Sequence, residues 1–355
     1  MDYKNTLMWK ELGEAPSILK KLAEKNSAAL AGIVKAFEGK NISNIYTAAR
    51  GTSDHAMIYF KYIEESLLGL PVASGAPSTV TMYGAPLRFA NTLVIGCSQS
   101  GKAADVLEII KAGNASGGIT VAITNDETSP LAKTAQFHLC CFAGEEKSVA
   151  ATKTFSAQLY LSYLLVSALQ GKTCSDTVGD RLAEAIPAID RATDSIVEDF
   201  INAQECFLLA RGVSSALAFE CGLKLQETCY IRARAYHSSD FYHGPMAMIG
   251  QGTKVILFAS KHSLSKEMDC VHREDCLKCA QKMKELGADL YIVTDDPETY
   301  SNLNAHIVSV PGMDDERYTV FAFALAAQML ACKVSCGKGL NPDAPRALKK
   351  VTVTK

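Results

Sequence analysis

Residues 92–124 read TLVIGCSQSGKAADVLEIIKAGNASGGITVAIT. A short apolar run ends in a Ser/Gly turn, a stretch with helical spacing follows, and a second apolar run closes the segment. That pattern predicts a strand, a helix and a second strand parallel to the first. Working upstream, IYTAAR at 45–50 and GTSDHAMIYFKYIEESLLG at 51–69 repeat the alternation. Parallel strands with helices on both faces make the first half of the chain doubly wound α/β.

The same order returns downstream. CFLLARGV at 206–213 matches IYTAARGT, TKVILFAS at 253–260 matches TLVIGCSQ, and DLYIVTDD at 289–296 matches ITVAITND at 119–126. Ala49-Arg50-Gly51 and Ala210-Arg211-Gly212 are 161 positions apart, as are Thr92 and Thr253. Equal order at equal spacing predicts a duplicated unit, and 355 residues suit two domains. GKTCSDTVGD marks the junction near residues 170–195. Ahead of the first copy, residues 7–38 carry helical spacing with an expected interruption at Pro16.

Hydrophobic content of 48%, charged content of 21% and a net charge of −2 describe a folded protein with no basic field for nucleic acid. No apolar stretch, Tyr318–Met329 included, is expected to cross a membrane, and the N-terminus has no signal-peptide pattern, so a cytoplasmic location is expected. The 12 cysteines are dispersed and expected to be reduced. Cys270, His272, Cys276 and Cys279 include a single CxxC with no second one to complete a zinc set, so no metal is expected.

Ser98-Gln99-Ser100-Gly101, followed by Lys102, and Gly51-Thr52-Ser53 end two successive strands of the first copy. Hydroxyls, backbone N–H groups and a helix dipole meeting there suit a phosphate; an ordinary helix cap is the alternative reading. SVAATK at 148–153 is a third such cluster or, again, only a cap. Lys224 and Glu227 lie three apart on a predicted helix, as a surface ion pair would. His243, in Phe241-Tyr242-His243-Gly244-Pro245, sits in a loop that could hold an imidazole for proton transfer.

Together the GTS turn, SQSG, VAATK, GLKLQE, AYHSSDFYHGP and PRALKK resemble the sugar isomerase (SIS) domain pair of the glucosamine-6-phosphate synthase, deaminase and deglycase family, from about residue 8 onward. The resemblance implies two tandem SIS domains, each a five-stranded parallel sheet sandwiched by helices in a flavodoxin-like arrangement. Domain bounds follow as a helical arm at 1–38, SIS domains at 39–190 and 191–336, and a tail at 337–355 that completes the active site. The resemblance also implies phosphate bound by Ser53, Ser98, Gln99 and Ser100, with Gly51, Thr52 and Lys102 beside it. Sugar contacts fall near Val149, Ala151 and Lys224. Glu227 becomes the carrier of a proton between C1 and C2, His243 the ring-opening residue, and Lys350 an amine near the carbonyl.

In place of the synthase's SQSGETAD this chain has SQSGKAAD, so Ala103 replaces a phosphate-contacting threonine and Lys102 an acid. With no Cys before Cys97, ammonia release from glutamine is not expected, and the favoured direction is nitrogen removal. The expected reaction is deamination of an amino sugar 6-phosphate such as glucosamine 6-phosphate. The alternatives are a deglycase acting on a fructosamine 6-phosphate and a non-catalytic sugar-phosphate sensor. The expected partners are a small sugar phosphate and a second copy of the chain sharing His243 across a two-fold interface, with no cofactor, nucleic acid or membrane.

Overall fold

A computed structural model describes residues 1–172 and 177–350. Helix α1 (Leu7–Glu38) leads into β1 (Asn44–Ala48), α2 (Thr52–Leu67), β2 (Val72–Ser74), α3 (Ser78–Thr81), β3 (Thr92–Cys97) and α4 (Ala104–Ala115). Then come β4 (Ile119–Thr124), α5 (Pro130–Thr134), β5 (Phe137–Cys140) and α6 (Lys153–Leu169). The second series is α7 (Val178–Ile201), β6 (Glu205–Ala210), α8 (Ser215–Cys229), β7 (Arg232–His237) and α9 (Ser238–Phe241). It ends with β8 (Lys254–Ala259), α10 (Asp269–Glu285), β9 (Asp289–Thr294), β10 (His306–Ser309) and α11 (Glu316–Gly337).

Two five-stranded sheets result, ordered β2-β1-β3-β4-β5 and β10-β9-β8-β6-β7, with every strand pair parallel. Read from the other edge, the second order repeats the first, as the internal repeat in the sequence requires. Each order reverses direction between its first and third strands, and the crevice beyond the strand ends at that point is where such sheets bind ligands. The chain divides into two compact units. The first holds residues 14–146, 153–179 and the tail from Lys349; the second holds 1–13, 147–152 and 180–348.

In the first unit β3 and β4 are buried along their whole length, as central parallel strands are. Gly96 packs where a Cβ would lie 2.9 Å from Ile110 of α4, so helix and sheet meet at a residue without a side chain. Asn26 on α1 donates to the Cys140 carbonyl (3.0 Å) and accepts from its N–H (2.8 Å), closing the edge strand β5. In the second unit a core of Phe207, Leu209, Val255, Leu257, Cys276 and Cys279 joins the sheet to α10.

One expectation needs correction. Pro16 lies inside α1 and does not interrupt it. Met8, Leu12, Ala15, Leu19 and Leu22 form one buried stripe on either side of the proline, and burial on that scale outweighs one missing hydrogen bond. The apolar segment at Tyr318–Met329 belongs to a longer helix, α11, which has the length and composition to cross a membrane, yet 94% of the qualifying window is buried inside the protein.

Candidate functional site

In the first unit, the ends of β1 and β3 carry the two hydroxyl-rich turns. Gly51, at φ 53°, caps α2 and swings the chain so that its carbonyl accepts from Asp54 and His55. Ser53 is buried, and its hydroxyl accepts from Gln158 Nε2 of α6 at 3.0 Å. At the end of β3, Gly101 has φ 61°, and a Cβ there would fall 2.2 Å from Ser129 Oγ, so only glycine fits. Its N–H donates to the Ser98 carbonyl at 3.1 Å, and its own carbonyl accepts from Leu131. Ser98 is buried, Gln99 and Ser100 are half-buried, and Ser100 Oγ accepts from the Lys102 N–H at 3.3 Å.

Helix α4 starts at Ala104 rather than directly after Gly101. Its N-cap is Ala103, which makes no side-chain capping bond, so the first turn keeps donors for a ligand to satisfy. Arg50 Nε donates to Asp105 Oδ2 at 2.8 Å and ties the end of β1 to the start of α4. Lys102 is exposed, and its charge helps hold the Asp126 carboxyl below its ordinary range, after the hydrogen bonds from Thr128.

Lys350 donates to Glu146 Oε2 at 2.9 Å. Glu146 is buried and also accepts from the Thr154 N–H (3.1 Å) and hydroxyl (2.8 Å), so the carboxylate that meets the lysine is itself fixed. Nothing in the sequence pattern singled out Glu146; it stands in a polar loop, GEEKS.

In the second unit the predicted pair on α8 is a buried triad rather than a surface pair. Lys224 is fully buried, and its Nζ lies 2.5 Å from Glu227 Oε2 and 3.4 Å from Glu220 Oε1. Positions 220, 224 and 227 share one helix face; Glu220, one turn before the lysine, was missed by sequence reasoning although the four-residue spacing signals it. Burial pulls the Lys224 pKa down, but Glu220 and Glu227 outweigh it and leave the group above its ordinary value. Glu227 keeps 23% of its side chain open and lines a cavity of about 450 Å³ with Leu223, Gln226, Tyr230, Arg346 and Leu348.

Tyr230 ends α8 in the left-handed region (φ 57°), and its hydroxyl accepts from the Arg346 N–H at 2.8 Å. Val149 N–H donates to the Asp343 carbonyl at 3.1 Å, while the Asp343 carboxylate accepts from Leu7 and Met8 at the start of α1, each at 2.8 Å. Thr152, after the half-buried Ala151, offers its carbonyl to Gln328 at 3.2 Å. The strap at 147–152 is thus held at both ends. His243 is exposed in the loop after α9, its N–H on the Asp240 carbonyl at 3.0 Å, and it is not among the residues lining the Glu227 cavity. Cys276 and Cys279 are buried in the core beneath α10, which gives the CxxC segment a packing role. Among the described residues, no group of three or more His, Cys, Asp or Glu is placed to hold a metal.

Comparison with known proteins matches the SIS domain over residues 40–168 and 199–335. The chain is 31% identical over 327 residues to the glutamine–fructose-6-phosphate aminotransferase (isomerizing) of Clostridium acetobutylicum, covering 88% of this chain and 52% of that protein. It therefore spans about half the length of the curated relatives it matches. The C-terminal domain of glucosamine-fructose-6-phosphate aminotransferase from Francisella tularensis superposes with a TM-score of 0.83 at 23% identity, over 96% of this chain and 98% of that one. Glucosamine-6-phosphate deaminase from Thermotoga maritima gives 0.76 at 22% identity, over 98% and 100%. The repeated 2-1-3-4-5 strand order, the paired turns at its reversal point and these matches place the chain in the SIS-domain phosphosugar isomerase family, as a tandem pair of SIS domains homologous to the isomerase domain of glutamine–fructose-6-phosphate aminotransferase.

Proposed function

We propose that the protein removes nitrogen from an amino sugar 6-phosphate by moving a proton between C1 and C2. The observation that carries this reading is Glu227, a partly open carboxylate at a cavity wall, fixed by a buried ammonium at 2.5 Å. A base for carbon acid chemistry needs that combination of access and fixed position. In open-chain glucosamine 6-phosphate, Glu227 takes the C2 proton, the C1 carbonyl oxygen is protonated to a hydroxyl, C1 receives a proton and nitrogen gives one up. The double bond then lies between C2 and nitrogen, and water hydrolyses it to fructose 6-phosphate and ammonia.

His243 is assigned to ring opening, Lys350 to the carbonyl, and the turns at Ser53 and Ser98–Ser100 to the phosphate. Val149, Ala151 and Lys224 border the sugar. A sensor would need the phosphate turns but not the buried Lys224 that orients Glu227, which favours the enzymatic reading. The test is solvent deuterium: Glu227→Gln keeps the shape but not the basicity, so label should enter product with the natural protein and not with the variant. Equal incorporation in both rules the assignment out.

The working form in this reading is a two-fold homodimer in which His243 serves the partner's Glu227, consistent with its place outside the cavity lining of its own chain. Mixing inactive His243→Ala and Glu227→Gln proteins under subunit exchange should restore roughly a quarter of full activity, since about half the dimers are mixed and each has one intact site of two. Mixed dimers without any activity would mean each chain supplies its own histidine.

A second reading, deglycation of a fructosamine 6-phosphate, is favoured by a recess of about 490 Å³ that shares Gln226, Tyr230 and Arg346 with the Glu227 cavity and is lined besides by Arg232 and Arg234.

A further inference from the structure

Glu146 stands in the loop between β5 and α6, and none of its side chain is exposed. Its oxygens accept from the Thr154 N–H at 3.1 Å, the Thr154 hydroxyl at 2.8 Å and Lys350 Nζ at 2.9 Å. Thr154 is in the first turn of α6, where N–H groups lack helical partners, so capping accounts for the Thr154 bonds. It does not account for the lysine. A cap needs an acceptor but no charge, whereas a carboxylate withdrawn wholly from water is costly unless a cation meets it. Here the cation comes from 204 positions along the chain, and 24% of its side chain stays open. Lys349, its neighbour in the tail, is exposed.

The start of the same loop is tied to the Ser98–Gly101 turn, assigned above to the phosphate. Asn125, just past β4, donates its N–H to the Gln99 carbonyl at 2.9 Å. Its Oδ1 accepts from the Ala143 N–H at 2.9 Å, and its Nδ2 donates to the Gly144 carbonyl at 2.7 Å. The Cys141 N–H on the Thr124 carbonyl, at 2.8 Å, carries the pairing of β4 and β5 up to this point. One side chain thus splices the turn to the backbone two residues before Glu146. From the turn to Lys350 Nζ, every step that is not covalent is a hydrogen bond, and all of it lies within the first unit.

We propose that Glu146 is a positioning residue: it holds the Lys350 amine at a fixed place measured from the phosphate turn, and Asn125 sets that register. This rests on the reading of Lys350 as the amine at the sugar carbonyl. A sugar 6-phosphate is anchored at one end of its open chain and reacts at C1 and C2, the other end. A lysine on a free tail samples many places and meets the carbonyl in few of them. Seating its flexible stem before the substrate arrives removes that entropy loss from the reaction itself. Glu146 acts on the sugar only through the lysine, so its effect depends on Lys350 being present.

Glu146→Gln is the decisive variant, because its amide oxygen still accepts from Thr154 while the charge that seats the lysine is gone. The first measurement is acetylation of the full chain by N-hydroxysuccinimidyl acetate, read at each lysine by mass spectrometry. In the natural protein Lys350 should react about 10- to 100-fold more slowly than Lys349, the range for a charge-assisted bond. In the Glu146→Gln protein the two lysines should react alike; Glu146→Asp should keep part of the protection and Asn125→Ala should lose part of it. The second is ammonia release from glucosamine 6-phosphate, where Glu146→Gln should lower kcat about 10- to 100-fold and leave KM nearly unchanged. Lys350→Ala should lower kcat at least as far, and the Glu146→Gln/Lys350→Ala protein no further than Lys350→Ala alone, whereas a residue that only caps α6 gives losses that add. Unprotected Lys350 in the natural protein, protection that survives Glu146→Gln, or additive losses in kcat would each overturn the proposal. If Glu146→Gln does not fold, Thr154→Val, which loosens the carboxylate without removing it, must show part of both losses, and the proposal fails if it shows neither. No ammonia from the natural protein refutes the deamination reading, and full turnover by Lys350→Ala refutes the reading of Lys350 at the carbonyl. In both cases acetylation still decides whether Glu146 holds the amine.

Discussion

Replacing Lys224 with Met tests the triad that fixes Glu227. Methionine has a similar unbranched stem and fills the same space, so the change removes the charge while sparing the packing. Lys224 is wholly buried, Glu220 is wholly buried, and Glu227 is three-quarters covered. Without the cation, two carboxylates face each other across the site it filled, and breaking a buried pair from one side costs about 3–5 kcal/mol. At about 2 cal/mol/K of unfolding entropy per residue, that lowers the melting temperature of a chain of 355 residues by roughly 4–7 °C.

The natural pair contributes fully at pH 7. The Lys224 pKa is raised above its ordinary 10.5 by the two carboxylates against the effect of burial, so its stabilisation is present below that value and is lost only as pH climbs through the higher one. Urea unfolding at pH 7 is the measurement, with Glu220→Gln and the Glu220→Gln/Lys224→Met double variant beside it. With Glu220 already neutral, only one carboxylate loses its cation when Lys224 is replaced, so the double variant should lose less than the sum of the two single ones, giving a coupling of about 1–3 kcal/mol. A Lys224→Met loss under about 1 kcal/mol, or a double variant equal to the sum of its parts, would refute the buried-triad account.

Glu64 on α2 is buried with neither carboxyl oxygen hydrogen-bonded, and burial, helped by neighbouring Glu65, raises its pKa to about 7. Its neutral form is the stable one, so the stability it allows is present below the ordinary carboxyl range and lost as pH rises through 7; Glu64→Gln should gain about 1–3 kcal/mol at pH 8 and nothing at pH 4. A gap independent of pH in urea titrations would count against this. Gly101→Ala should cost more stability than Gly117→Ala, which has a similar φ but open space, and should weaken phosphosugar binding at least roughly tenfold by displacing the Ser98–Ser100 turn. Matching losses in melting and calorimetry for the two alanine variants would mean the contact with Ser129 is unimportant.

The alternation of apolar runs and turn residues, and its repetition 161 positions later, carried the architecture, because parallel strands buried on both faces have a strong local signature. The hydroxyl turns were legible for the same reason: each stands at a strand end. Charge environment was not. Lys224 and Glu227 looked like an exposed pair because spacing alone does not reveal burial, and Glu146 is separated from Lys350 by more than two hundred positions. Arg232 and Arg234 read only as strand residues until the cavity beside them was apparent. Pro16 shows the converse, a strong local signal overridden by the stripe of buried side chains around it.

Asp343 joins segments that are made far apart in time. Its carboxylate supplies the acceptors for the first N–H groups of α1, at sequence separations of 336 and 335. At about 5–20 residues per second, a ribosome delivers Asp343 roughly 20–70 s after Leu7. Throughout that interval the start of the helix must fray or borrow water, so the first α-helical turn to be synthesised is among the last to be closed. Chains arrested before residue 343 should accordingly be cut by protease near Leu7, and chains extended past it with Asp343 intact should not.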